Sequence, residues 1–426
     1  MTLKPEVFRS ELTGDEYHLF HHPSGLDVLT MPMPGFTTTE AIFATKYGSV
    51  INRFKTLDTG DFITVPDGIA HYLEHKLFEN EDCEVFELYA KTGAMANAFT
   101  SFDLTGYTFS VASDYREPLR ILLDFVQKPY FTDENVEKER GIIAQEIKMT
   151  ADSPSRAIFF RMLECLYHVH PVKTDIAGTV ESIQEITTDL LYKCYNTFYN
   201  LNNMVLSIAG NIDDETVLSI CDECLRPSEN RELEFDIPAE PADVVRKRSS
   251  MTMPVGVPLF MLGFKCDPLV GTELQKTSIA VELMLRIQFG SMSPWYKKAL
   301  EEGIINMSFG FEVFSSDLGY FSILFSGESD RPDELYESLV KEIENCKTKP
   351  VDAELFAILQ KEKYGTEVFK YNQVTNCTET MCFHYIQGLN CFDSFKFMAE
   401  LTVDDIENAK RLLDLDRSSF CTLSSK

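Results

Sequence analysis

Half-apolar runs that suit strands occur at 27–33 (DVLTMPM), 38–48 (TTEAIFATKYG), 95–102 (MANAFTSF) and 105–113 (TGYTFSVAS). Between and after them the apolar positions return every three or four residues, which predicts helices over 65–78, 116–127, 133–151, 187–199 and 214–225. The second half continues in the same manner. Strands are expected near 258–265, 304–313 and 318–327, and helices over 272–289, 332–346, 351–369 and 402–413. The alternation describes an α+β chain.

The chain has 426 residues, or 2 × 213, and the pattern repeats at about that spacing. ITTDLLYKCYNTFYNLNNMVLSIAG (186–210) and LTVDDIENAKRLLDLDRSSFCTLSS (401–425) follow one plan: a Thr-initiated helix with an acid in its first turn, then an apolar strand. Thr187 and Thr402 are 215 positions apart. The acid-rich helices after Thr132 and after Val351 are about 220 apart, and each follows an amphipathic helix. So long a period indicates duplicated domains, because solenoid repeats run to roughly 20–50 residues. Residues 226–250 hold three Pro, many charges and little periodicity, as a linker does. The boundary falls near residue 235. The expected organisation is a domain over 1–230, a linker over 231–255 and a homologous domain over 256–426.

Composition narrows the function. The chain is 44% hydrophobic, as a folded globular protein is, which sets aside disordered and low-complexity classes. A net charge of −28 argues against nucleic acid, which needs basic stripes. That acidity suits a solvated surface, and it would also attract basic peptides. The conspicuous charge-free apolar stretch, 253–264, has 12 residues where a membrane span needs about 20. The N-terminal sequence reads as lacking a signal peptide, and eleven scattered Cys favour reduced thiols, so a cytoplasmic location is expected.

One segment carries chemistry. His71-Tyr-Leu-Glu74-His75 lies in DGIAHYLEHKLFE, a helix in which Ile69, Leu73 and Leu77 repeat at i, i+4 and i+8 and which Asp67 is placed to cap. Histidines four apart sit about 40° apart around a helix, so both imidazoles can reach one ion. Glu74 is next to His75 in sequence and about 60° from His71 on the other side, where it can reach an activated water without ligating the metal. This is the inverted zinc-protease pattern H-x-x-E-H. Its chance expectation in this composition is roughly 0.02 occurrences. A catalytic zinc takes three protein ligands and keeps an open position. The helix EKERGIIAQEIKM (137–149) offers Glu139 and Glu146, which share a face about 10.5 Å apart along the axis. Spacing does not say which of the two would ligate.

The sequence resembles the pitrilysin, insulin-degrading-enzyme and mitochondrial-processing-peptidase family of zinc peptidases, and within it a bacterial branch of paired two-domain proteins. The matching segments are GIAHYLEHKLF (68–78), GAMANAFTSFDLTGYTF (93–109), ERGIIAQEIKMTADSP (139–154) and HPVKTDIAGTVESI (170–183). The resemblance implies two homologous domains, each a mostly antiparallel sheet packed with helices. It implies Zn²⁺ on His71, His75 and Glu146, Glu74 as general base, and Glu139 as a supporting catalytic carboxylate. Asn97 and Ala98 would lie on an edge strand that pairs with substrate backbone. The implied activity is zinc-dependent hydrolysis of peptides or unfolded segments by an endopeptidase.

In the family, an Arg and a Tyr seven positions later flank a Gly of the second domain and complete the site. Aligned on Gly303, those positions hold Ala299 and Asn306. The second half has a single His, His384. The expectation is therefore a heterodimer in which a homologous zinc-free subunit supplies the missing pair, with a homodimer as the other arrangement. Two other functions stand beside it: a non-catalytic assembly or scaffold subunit, whose usual mark is a damaged HxxEH where this motif is intact, and a dedicated protease that matures one precursor peptide and would share every residue named here. Cys221-Asp-Glu-Cys224 reads as two buried or half-buried helical thiols, because no second pair completes a metal site. His168 and His170 read as packing and loop contacts, and His18, His21 and His22 as a surface cluster.

Overall fold

A computed structural model describes residues 3–57, 59–81, 84–230 and 232–425. The first half runs β1 (Glu6–Arg9), β2 (Glu16–His21), β3 (Asp27–Pro32), β4 (Thr39–Thr45), β5 (Arg53–Lys55), β6 (Phe62–Thr64), α1 (Ile69–Leu77), α2 (Val85–Thr92), β7 (Met95–Thr100) and β8 (Thr105–Val111). It continues through α3 (Arg116–Val126), α4 (Asp133–Ala151), α5 (Pro154–Leu166), α6 (Thr188–Phe198), β9 (Met204–Gly210) and α7 (Asp214–Cys224). The second half holds β10 (Arg248–Thr252), β11 (Leu259–Lys265), α8 (Gly271–Phe289), α9 (Pro294–Glu301), β12 (Gly310–Ser316) and β13 (Tyr320–Glu328). Then come α10 (Pro332–Thr348), α11 (Ala353–Lys370), α12 (Val374–Ile386), α13 (Asp393–Glu400), α14 (Val403–Ala409) and β14 (Ser418–Ser424).

The chain divides into two compact units. Unit 1 comprises 1–147, 175–236 and 368–392; unit 2 comprises 148–174, 237–367 and 393–426. The sheet of unit 1 has the order β1-β2-β3-β9-β4-β8-β7, and that of unit 2 the order β10-β14-β11-β13-β12. Strand for strand, β3-β9-β4-β8-β7 repeats as β10-β14-β11-β13-β12. In each, one parallel pair is followed by three antiparallel ones. The α+β architecture of two like domains is thus present in the hydrogen bonding itself. Thr187 and Thr402, the repeat's landmarks, both cap their helices, accepting from Leu190 N–H and Asp405 N–H.

Each unit contains one helix from the other half of the sequence. In unit 2, α5 lies on β11 and β14. Gly263 of β11 makes room for it, since a Cβ there would sit 2.6 Å from Met162 Sδ. In unit 1, α12 covers β9 and β4, and Ser207 Oγ donates to the Thr378 carbonyl at 2.8 Å. Neither exchange is visible in the sequence pattern, because an apolar stripe states that a helix is covered and not by which sheet.

Several local expectations shift. The strand expected at 304–313 forms at Gly310–Ser316, after a tight turn at Gly303, where φ is +65°. The helix expected at 402–413 ends at Ala409 and tightens into a 3₁₀ turn. The segment read as a linker carries β10, which pairs parallel with β14.

Candidate active site

The site is built on α1, α4 and the edge strand β7 of unit 1. Asp67 does not cap α1, contrary to the sequence expectation. The N-cap is Gly68 at φ 93°, with no side-chain cap, and the Asp67 carboxylate instead accepts from Asn52 Nδ2. Gly68 is required sterically. A Cβ there would lie 2.5 Å from the Ala177 carbonyl oxygen, and one on Gly178 would lie 2.4 Å from the Asp67 carbonyl oxygen. The two glycines let the loop after 174 pack backbone to backbone against the start of the helix.

From that start, Ile69, Ala70, Tyr72, Leu73, Lys76 and Leu77 turn inward and are buried. His71, Glu74 and His75 are left half-buried on the opposite face. The Tyr72 hydroxyl donates to the Val136 carbonyl, which fixes α1 against α4. This contact brings the two helices' polar faces together.

His71 Nε2 is 3.6 Å and His75 Nε2 3.4 Å from the Glu146 carboxylate oxygens. Those distances are long for N–H···O hydrogen bonds, which lie at about 2.7–3.2 Å. They match the edge of a tetrahedron with metal–ligand bonds of about 2.0–2.1 Å, roughly 3.4 Å. His71, His75 and Glu146 form the one group of three potential metal-binding side chains among the described residues, with ligand atoms all within 4.8 Å of one another. Two imidazoles and a carboxylate are a donor set suited to zinc. The residues fit the metal.

Glu139, one of the two acids that spacing left open, lies behind His75, its Oε1 3.0 Å from His75 Nδ1. A carboxylate there fixes the ring's orientation and leaves Nε2 free to face Glu146. Burial of the His75 ring lowers its pKa. The hydrogen bond to Glu139, with the charges of Glu74, Glu139 and Glu146, outweighs this, and the pKa lies above the ordinary histidine value. Burial pushes Glu139 up, but His75, Lys76 and Lys138 more than offset it and hold the carboxyl below the usual range.

Glu74 stands beside the ligands on α1, and its Oε2 accepts a hydrogen bond from Thr100 Oγ1 at 2.7 Å. Asn97 and Ala98 lie on β7, the outermost strand of the sheet, as expected for an edge. The Asn97 side-chain oxygen takes the Ala98 N–H at 2.9 Å, so that donor is satisfied by a side chain and not by β8.

Sequence reasoning passed over two residues near the site. Lys76 is a fully buried lysine paired with Glu79, and its i, i+3 spacing to that acid was the available signal. Thr100 was missed as well. It falls on the alternate positions of β7 with Ala96 and Ala98, and its side chain reaches α1.

Other predicted positions resolve simply. Cys221 is buried and Cys224 half-buried on α7. His170 is buried, its Nε2 2.9 Å from the Leu318 carbonyl. His22 departs from the surface reading: it is 7% exposed and lies 2.8 Å from Ser24 Oγ. In unit 2, Ala299 is buried and Asn306 Nδ2 donates to Glu328 Oε2 at 2.9 Å. No helix among the described residues is long and apolar enough to cross a membrane.

A family profile described as "Insulinase (Peptidase family M16)" matches residues 58–180, and one described as "Peptidase M16 inactive domain" matches residues 185–363. The chain is 39% identical over 416 residues to "Uncharacterized zinc protease YmfH" of Bacillus subtilis, covering 96% of this chain and 97% of that protein. A zinc protease of Rickettsia felis is 26% identical over 349 residues, covering 80% and 81% of the two chains. Among solved structures, a putative M16-like peptidase from Alicyclobacillus acidocaldarius superposes with a TM-score of 0.91 at 33% identity, covering 100% of this chain and 99% of that one. Pitrilysin superposes with a TM-score of 0.76 at 15% identity over 46% of its length, a likeness of fold alone.

Proposed function

The chain belongs to the insulinase (M16) peptidase family, and from that premise we propose that it is a zinc-dependent endopeptidase acting on peptides or unfolded segments. The observation that carries the reading is the spacing of His71 Nε2, His75 Nε2 and the Glu146 carboxylate at 3.4–3.6 Å, with Glu74 beside them. Zinc held by those three residues would polarise the scissile carbonyl and lower the pKa of water toward ~7.

The protein's own groups perform the rest. Glu74 takes a proton from the attacking water and returns it to the leaving amine. Glu139 holds the His75 ring in place through Nδ1. The outer edge of β7 at Asn97 and Ala98 takes the substrate as an added strand, which gives affinity without a sequence requirement.

The proposal includes a partner. Ala299 and Asn306 stand where the family's Arg and Tyr belong, Ala299 is enclosed in the unit 2 core, and Asn306 is engaged by Glu328. A homologous zinc-free subunit would supply both side chains, one to hold substrate and one to stabilise the oxyanion. The proposed location is cytoplasmic, in keeping with eleven Cys scattered without framework spacing.

The test is cleavage of a mixed peptide library by the zinc-loaded chain, alone and with the product of the neighbouring gene, using wild type and Glu74→Gln. Turnover only in the pair, abolished by Glu74→Gln, supports the proposal in full. Full activity in Glu74→Gln overturns the assignment of the base, and high activity of the chain alone removes the need for a partner.

A further inference from the structure

We propose that Thr100 is a positioning residue for the base Glu74, so that the last residue of the edge strand sets the orientation of the carboxylate that moves the proton. This deepens the peptidase reading and rests on it.

β7 pairs antiparallel with β8 from Met95↔Ser110 to Thr100↔Thr105, which fixes the register at its end. Side chains on a strand alternate between faces, so Ala96, Ala98 and Thr100 share one. Two of these are the smallest chiral side chain, which leaves space for α1, and the third carries a hydroxyl. That hydroxyl reaches Glu74 Oε2 at 2.7 Å, a normal length for O–H···O.

The chemistry of the two groups gives this contact its consequence. An ionised carboxylate only accepts hydrogen bonds, and a Thr hydroxyl has one proton to give. With Oε2 occupied by Thr100, the carboxylate loses rotational freedom about its last bond and Oε1 remains to receive a proton. Glu74 needs such a restraint more than its neighbours do. His75 is held by Glu139 at 3.0 Å, whereas the hydrogen bond found for Glu74 among the described residues comes from Thr100. A catalytic base misplaced by a fraction of an ångström loses rate even when its pKa is right.

Strand and base are thereby linked: the strand proposed to take the substrate also holds the group that acts on it. A valine at this position keeps the shape and removes the proton donor, while serine keeps the donor.

The experiment compares wild type, Thr100→Val and Thr100→Ser, each loaded with zinc and assayed on one peptide together with the partner subunit if that is required. A crystal structure of each, and its zinc content, provide readouts independent of turnover. The expected result is about a tenfold lower kcat in Thr100→Val with KM and zinc content unchanged, and recovery in Thr100→Ser. The Glu74 carboxylate should hold one orientation in wild type and Thr100→Ser and lose it in Thr100→Val. An unmoved carboxylate in Thr100→Val, a change confined to KM, or equal damage in both variants would overturn the proposal. Wild type without turnover would count against the peptidase reading instead, and the carboxylate orientation would still decide the role of Thr100.

Discussion

The two units repeat one sheet topology, and the same pair of helices performs different work in each. In unit 1, α1 lies between β4 and β7, and α4 follows α3. In unit 2, α8 lies between the corresponding β11 and β12, and α11 follows α10. Across α1 and α4, two imidazoles face Glu139 and Glu146. Across α8 and α11, Arg286 meets Glu362 at 2.7 Å and Lys363 meets Glu282 at 2.7 Å, while within α8 Arg286 also meets Glu282 at 3.3 Å. Unit 2 provides its own cations, and its acids are neutralised within the protein. Unit 1 gathers three carboxylates around two rings that are metal ligands when neutral, an arrangement that leaves room for an external cation. The fold is common to both; the identity of the donors decides which unit can hold a metal.

The largest expected effect is that of Glu74→Gln. It should lower turnover by about 10²–10⁴-fold, with zinc retained when metal content is measured. In unit 2, Glu362→Gln should leave both turnover and zinc at wild-type values.

Glu139→Gln comes next. It should weaken zinc binding by about 10–100-fold in a chelator competition, because the His75 ring loses the carboxylate behind it. Lys363→Met tests the other side. Lys363 is only 7% exposed and is one of the two cations that meet Glu282, so its removal leaves that carboxylate with Arg286 alone. Stability should fall by roughly 1–2 kcal/mol in denaturant titration, with zinc content unaffected.

The smallest effect is on pH dependence. His75 in the metal-free site has its pKa raised above the ordinary 6.5, so protons compete with zinc at a higher pH than at an isolated histidine. Apparent zinc affinity should therefore begin to fall above pH 6.5 as the pH is lowered. In Glu139→Gln the main raising contact is gone, and the onset should move to lower pH.

What the sequence makes legible is local. His71, Glu74 and His75 occupy one turn and a half of helix, so their convergence follows from helical geometry alone. The capping threonines and the strands that follow them are local too, and they expose the duplication. Glu146 is different. Periodicity placed it and Glu139 on one face of α4, but their roles depend on how α4 docks on α1, which the Tyr72 contact sets across 64 residues of chain. The exchanged helices α5 and α12 were illegible for the same reason.

Asp67 shows how tertiary contact overrides propensity. It has the chemistry of a cap, but the close approach of Ala177 demands a glycine in the left-handed region at the next position, and that glycine becomes the N-cap. Thr100 lay within a segment already singled out, yet its partner is 26 positions away on another element.

Only one of the two like units should carry the metal chemistry. The most direct test is anomalous diffraction at the zinc absorption edge from crystals of the zinc-loaded chain. One zinc position is expected in the chain, bounded by His71 Nε2, His75 Nε2 and the Glu146 carboxylate, and none between α8 and α11. A zinc ion between α8 and α11, or no zinc between α1 and α4, would contradict it.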